Sequence, residues 1–206
     1  FALHVSLFLS RAWAVLSLSE GDLAALTLTL RLATTVTVLL LLLGLPLAWW
    51  LARTRSRLKV PVAALVALPL VLPPTVLGYF VLVMIAPDST LGRSWGSLFD
   101  SSLAFSFSGM VLASVLYSLP FAVQPMQQAL RSIPKSWLEM ASTQGVGLRQ
   151  TLIQVMLPAA RGGVLVAAVL SFAHTMGEFG VVLMVGGSIP GETKVASIAL
   201  FEFVEM

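Results

Sequence analysis

Cysteine is absent from the 206 residues, which excludes disulfides, thiolate metal sites and cysteine nucleophiles. Histidine is nearly absent. His4 and His174 cannot by themselves make a metal cluster, so no metal and no other cofactor is expected. Charge is scarce too: 10% of the residues are Asp, Glu, Lys or Arg, where a soluble domain carries about a quarter. With 58% of the chain hydrophobic, water is not its main solvent. The net charge of +3 would suit a nucleic-acid binder. The basic residues are few, however, and sorted by topology, which argues against nucleic acid as a partner. An initiator Met is missing and no polar tail follows Met206, so the chain is expected to be a single transmembrane domain, 1–206, truncated at both ends.

What is present is long apolar runs. A membrane helix needs about 20 apolar residues to cross a hydrocarbon layer about 30 Å thick. Leu32 to Ala52, Val60 to Pro87, Ser101 to Leu130 and Gly162 to Gly191 all qualify, the last interrupted only by His174 and Glu178. The fold class expected is therefore an all-α polytopic membrane bundle with at least four spans. The opening stretch, Phe1 to Ser19, is broken by Arg11 and reads either as the tail of a further span or as an interfacial helix.

Lys and Arg collect on the cytoplasmic side of membrane proteins. Arg53, Arg55, Arg57 and Lys59 lie between the first two spans, and Arg131, Lys135, Arg149 and Arg161 between the third and fourth. These eight of the twelve basic residues face one acid, Glu139. Two crossings separate the two loops, so 53–59 and 131–161 share a face, expected to be cytoplasmic in a cell inner membrane. Pro69, Pro73 and Pro74 fall in the second span and Pro120 and Pro125 in the third. Each removes a backbone hydrogen bond, which in lipid must be replaced by neighbouring helices or by water lining a pathway.

The loop from Arg131 to Arg161 predicts two short helices. Ser136 and Glu139 have capping-box spacing, Gly145 is a natural left-handed terminator, and the next helix should run from Leu148 to Leu157 and stop before Pro158. A structured loop this long between spans is usually functional. Two other strings carry less. Gly92-Arg-Ser94-Trp-Gly96 matches a nucleophile elbow, but that chemistry needs a strained strand-to-helix turn, which an outer loop between membrane helices lacks. Gly186 and Gly191 have the outer spacing of a phosphate loop, yet Glu192 stands where its Lys must be. Glu178 is the only acid inside a span, with His174 one turn away; such a residue is a functional candidate by default.

Glu139-Met140-Ala141, then Gly145, then Val155 and Leu157-Pro158 resembles the coupling loop of permease subunits of bacterial ATP-binding-cassette importers of type I. Glu139, Ala141, Gly145, Leu157 and Pro158 match that pattern; Met140 replaces an Ala and Val155 an Ile. Leu68-Pro-Leu-Val-Leu-Pro-Pro-Thr-Val-Leu-Gly-Tyr79 and Gly177-Glu-Phe-Gly180 look like the oxyanion branch, and Ile189-Pro-Gly-Glu-Thr193 is similar to its molybdate members rather than its sulfate members. The resemblance implies a homodimer of permeases in the lipid bilayer and two separate ATPase subunits gripping the 131–161 loops. It also implies an extracytoplasmic oxyanion-binding protein delivering molybdate. The chain itself would then be no enzyme. Pro73, Pro74, Thr75, Gly177, Glu178 and Gly180 are the candidate pathway or gate residues. Tungstate or sulfate remain alternative cargoes, and a proton-coupled secondary transporter is the competing class, resting on Glu178 alone.

Overall fold

Ser19 opens the first helix through a reciprocal cap: the Asp22 amide donates to Ser19 Oγ at 3.1 Å, and the Ser19 amide donates to Asp22 Oδ2 at 2.9 Å. The computed structural model describes residues 19–205, apart from the side chains of Ser142, Leu148 and Arg149, so the reading of the opening stretch as a span or interfacial helix lies outside the described residues. Helix α1 runs Glu20–Arg53. At about 1.5 Å per residue it is about 51 Å long, well beyond the hydrocarbon layer. The apolar run from Leu32 to Ala52 is thus only its C-terminal part. Arg31 lies within the helix but is exposed, its guanidinium 4.8 Å from the Phe107 ring centroid.

The second expected span is broken. Helix α2 (Lys59–Ala67) passes through a 3-10 turn at Leu68–Leu70 and restarts as α3 (Pro74–Ile85), with the two parts bent by 113°. The cause is local: a proline disfavours the helical region for the residue before it, and Pro73, which precedes Pro74, is extended at φ −56°, ψ 137°. Helix α4 (Thr90–Phe99) follows, its N-terminal Gly92 amide donating to Ser89 Oγ at 2.9 Å. Helix α5 (Phe107–Ser132) starts later than the apolar run at Ser101 because Ser106 caps it, accepting from the Gly109 amide at 3.2 Å. It stays continuous through Pro120 and Pro125.

Helices α1 and α5 run parallel. Arg31 meets Phe107 at one end, a Cβ on Gly44 would sit 3.0 Å from Met126 Cε, and at the other end Arg53 Nη2 donates to the Leu130 carbonyl at 2.8 Å. The two basic loops therefore share one end of the bundle. The α2–α3 pair still runs the length of α5, since α2 starts six residues after Arg53, while Ile85 Cδ1 lies 3.3 Å from the Cβ position of Gly109.

Beyond α5, helix α6 (Lys135–Thr143) is followed by α7, which begins as Leu148–Thr151, widens into π-helical Leu152–Met156 and closes at Leu157–Ala159. The helix does not stop before Pro158. In the widened turn the Leu157 amide bonds back to Leu152, so the register that the Pro158 ring would obstruct is already displaced. Helix α8 (Arg161–Met176) leaves at 67° and packs antiparallel on α5: a Cβ on Gly163 would lie 2.3 Å from Ala129 Cβ, an approach only glycine permits.

The fourth apolar run is not one helix either. It breaks at Gly177–Phe179 and resumes as α9 (Gly180–Gly186). A turn follows, held by Thr193 Oγ1 donating to the Gly186 carbonyl at 2.7 Å, and leads to α10 (Ala196–Glu205). Every regular element among the described residues is helical. The core is a column of Leu32, Val36, Leu40, Met126, Leu130 and Met156 between α1, α5 and α7.

Candidate functional site

Two regions hold the residues singled out above. At the basic end, α6 ends as a glycine-terminated helix: Gly145 takes φ +71°, and the Val146 amide donates to the Ala141 carbonyl at 3.0 Å, closing a Schellman turn. Its start lies two residues before the capping-box expectation. The Trp137 amide bonds to Pro134 O, which places Ser136 inside the first turn. Ala141 is buried while Glu139 is exposed, flanked by Trp137 at 48% and Met140 at 59% exposure. Leu157 and Pro158 are exposed on α7. The helix thus offers one carboxylate set among apolar side chains, outside the bundle, a combination that suits a protein partner.

Beneath it lies a cavity of about 610 Å³ lined by Arg53, Arg55, Arg131, Lys135 and Glu139, among others. Arg53 ties the two loops together, with Nη2 donating to Leu130 O at 2.8 Å and Ile133 O at 3.3 Å. These carbonyls belong to the last turn of α5 and the residue after it, where no intrahelical donor remains. The sequence reading counted Arg53 only as a topological charge. Nothing local signals its partners, which lie 77 and 80 residues away.

The second region forms where the two broken spans meet. The start of α3 faces the start of α9: a Cβ on Gly180 would lie 3.0 Å from Pro74 Cβ and 3.4 Å from Thr75 Cγ2. A cavity of about 520 Å³ opens there, lined by Pro74, Thr75, Tyr117, His174, Gly177, Glu178 and Gly180 together with Ala173 and Phe179. The structure thus brings together five of the six candidate pathway residues. Pro73 is the turning residue just before them.

Glu178 is 4% exposed and neither carboxylate oxygen has a hydrogen-bond partner. The buried Ser114 hydroxyl is near enough to act on it but lies outside hydrogen-bonding geometry. The helical pairing of His174 with Glu178 does not form, because α8 ends at Met176 and His174 Nδ1 instead lies 2.8 Å from Ser118 Oγ. Ser118 and Thr175 were missed in the sequence. The available signal was the four-residue spacing of Ser114 and Ser118, and of Ser171 and Thr175, which aligns small polar groups along one helix face.

The elbow string lies inside α4, and Ser94 Oγ donates to the Thr90 carbonyl at 2.8 Å, as an ordinary helical serine does. No strand precedes it among the described residues. No group of three or more His, Cys, Asp or Glu residues among them could hold a metal ion.

Comparison with known proteins agrees with this geometry. The family described as binding-protein-dependent transport system inner membrane component matches residues 44–203. The molybdenum transport system permease protein ModB of Azotobacter vinelandii is 55% identical over 188 residues, covering 91% of this chain and 83% of that protein. The ModB proteins of Haemophilus influenzae and Escherichia coli K12 are 33% and 34% identical, each covering 77% of this chain and 69% of their own length. The matched segment contains both the loop around Glu139 and the two helix breaks, and the chain belongs to the family of inner membrane components of binding-protein-dependent transport systems.

Proposed function

We propose that the chain is the membrane-spanning subunit of an ATP-driven oxyanion importer, with molybdate as its cargo. The observation that carries the transport role is the placement of α6, a rigidly terminated helix exposing Glu139, Trp137 and Met140 at the basic end of a bundle whose two broken spans meet in a cavity. Molybdate is supported by the 55% identity to a molybdenum permease.

In this reading the end bearing 53–59 and 131–161 faces the cytoplasm, as the positive-inside rule favours. Two ATPase subunits grip the loops of a permease homodimer, and an extracytoplasmic binding protein delivers the ion. ATP is hydrolysed in the separate subunits. Glu139, Ala141, Gly145, Leu157 and Pro158 form the docking element. A displacement of α6 reaches α5 through the short link at Ile133 and Pro134, where Arg53 ties the end of α5 to α1, and reaches α8 through the 67° bend after α7. Both helices contribute to the cavity at the breaks, so rigid-body movement at the loop changes its access.

Glu139→Ala in the assembled complex tests the docking role. ATP-driven molybdate uptake into vesicles should fall at least about tenfold, the cost of one lost hydrogen bond to a charged group, while membrane insertion is unchanged. Wild-type uptake in that variant would remove the docking assignment. Competition by sulfate equal to that by unlabelled molybdate would overturn the cargo. Uptake that survived ATP depletion but failed on collapse of the proton gradient would favour the secondary transporter instead.

A further inference from the structure

Behind the cavity at the two breaks runs a chain of hydrogen bonds that the coupling scheme does not use and that reaches it at His174. Ser118 on α5 is fully buried; its Oγ lies 2.8 Å from His174 Nδ1 and 3.2 Å from Thr175 Oγ1. The imidazole stacks on Phe121 with ring centroids 4.1 Å apart and leans on Tyr117 at 4.7 Å. Two rings and a hydroxyl therefore fix its orientation. His174 lines the cavity, and its second nitrogen, Nε2, makes no hydrogen bond among the described residues.

A neutral imidazole carries a single ring proton, so whichever role Nδ1 plays toward Ser118 dictates what Nε2 offers. An oxyanion crossing the bundle has to exchange water for other donors, since an unpaired charge in an apolar surround is prohibitively costly. No Lys or Arg lines this cavity. The donors within reach are neutral: the Thr75 and Tyr117 hydroxyls and the His174 ring. Neutral donors hold an anion loosely enough for it to leave, which passage requires. Glu178 also lines the cavity, its two carboxyl oxygens buried and without a hydrogen-bond partner among the described residues.

Resting on the importer reading above, we propose that Thr175 donates to Ser118 and Ser118 donates to Nδ1, so that His174 Nε2–H is a fixed hydrogen-bond donor to the oxyanion in transit. Ser118 and Thr175 are then positioning residues, and His174 touches the cargo. The site passes the ion without storing it, so its loss slows the maximal rate and leaves capture by the binding protein untouched.

The test is ATP-driven uptake of labelled molybdate by the full complex in vesicles, with the amount of assembled complex measured alongside. His174→Phe keeps a ring on Phe121 but has no donor, His174→Gln restores an amide N–H near the Nε2 position, and Ser118→Ala frees the tautomer while leaving the ring. Per assembled complex, the maximal rate should fall about tenfold in His174→Phe, recover to within about twofold in His174→Gln and drop about threefold in Ser118→Ala, as expected for one hydrogen bond to a charged ligand. The half-saturating molybdate concentration should stay within about twofold of wild type throughout, because a transition-limiting contact alters rate rather than capture. Equal loss in His174→Gln and His174→Phe would reduce the ring to packing and overturn the proposal. So would an unchanged rate in Ser118→Ala, a variant that decides the matter even if His174→Phe fails to assemble. A wild-type complex unable to move any oxyanion with ATP would instead refute the importer reading, a result distinguishable from either.

Discussion

Gly145 and Gly180 stand at the termini of short helices in the two functional regions, and they are glycines for opposite reasons. A Cβ on Gly145 would meet nothing within 4 Å, yet its φ of +71° lies in the left-handed region that side chains disfavour. Gly180 has no positive φ, but its Cβ would press on Pro74 and Thr75 of a helix more than a hundred residues earlier. The loop is thus built from local hydrogen bonds and needs a backbone conformation. The cavity is built from distant helices and needs space. The first can be moved as a unit by a docked partner, whereas the second changes only when whole helices shift.

Substitutions can separate these two constructions. The largest effect is expected from Gly180→Val, which overfills the contact between α9 and α3 and should cost about 1–3 kcal/mol, read as a fall in the melting temperature of the purified protein. Uptake should be lost with it. Arg53→Ala comes next: it strips the donors from Leu130 O and Ile133 O and should destabilise by about 1–3 kcal/mol. It should also weaken ATPase stimulation, since α5 is then untied from α1.

Gly145→Ala should cost about 1 kcal/mol through backbone strain alone, and Gly145→Asn less, because Asn tolerates the left-handed region. If Ala and Asn behaved alike at 145, the contrast between the two glycines would fail there. The smallest effect is expected for Lys194→Ala on the turn before α10. Its ion pair with Glu202 is partly exposed, and solvent screens such pairs, so the melting temperature should hardly change.

The loop was legible because its determinants lie within a few residues of one another. Gly145 as terminator and a short helix before it follow from short-range chemistry, and the structure has both. The capping assignment at Ser136 slipped by two residues because Pro134 supplies the first carbonyl. The span boundaries were less legible. Apolar runs mark what lipid tolerates rather than where a helix begins, so α1 extends back past Arg31 to a serine cap. Proline content alone does not say which helix breaks. Consecutive Pro73 and Pro74 end one, while Pro120 and Pro125 are absorbed in α5, packed between α1 and α8.

Residue order by itself determined a helical membrane protein with two basic loops at one end and a motif-bearing helix within the second of them. Apolar length, charge sorting and turn chemistry are all properties of neighbouring residues. Only the tertiary structure decided that the breaks at Pro73 and Glu178 coincide, that Arg53 bonds the end of α5, and that His174 turns to Ser118 rather than to Glu178. Those outcomes depend on which helices pack together and in what register, and that is settled by the fit of surfaces far apart in the chain.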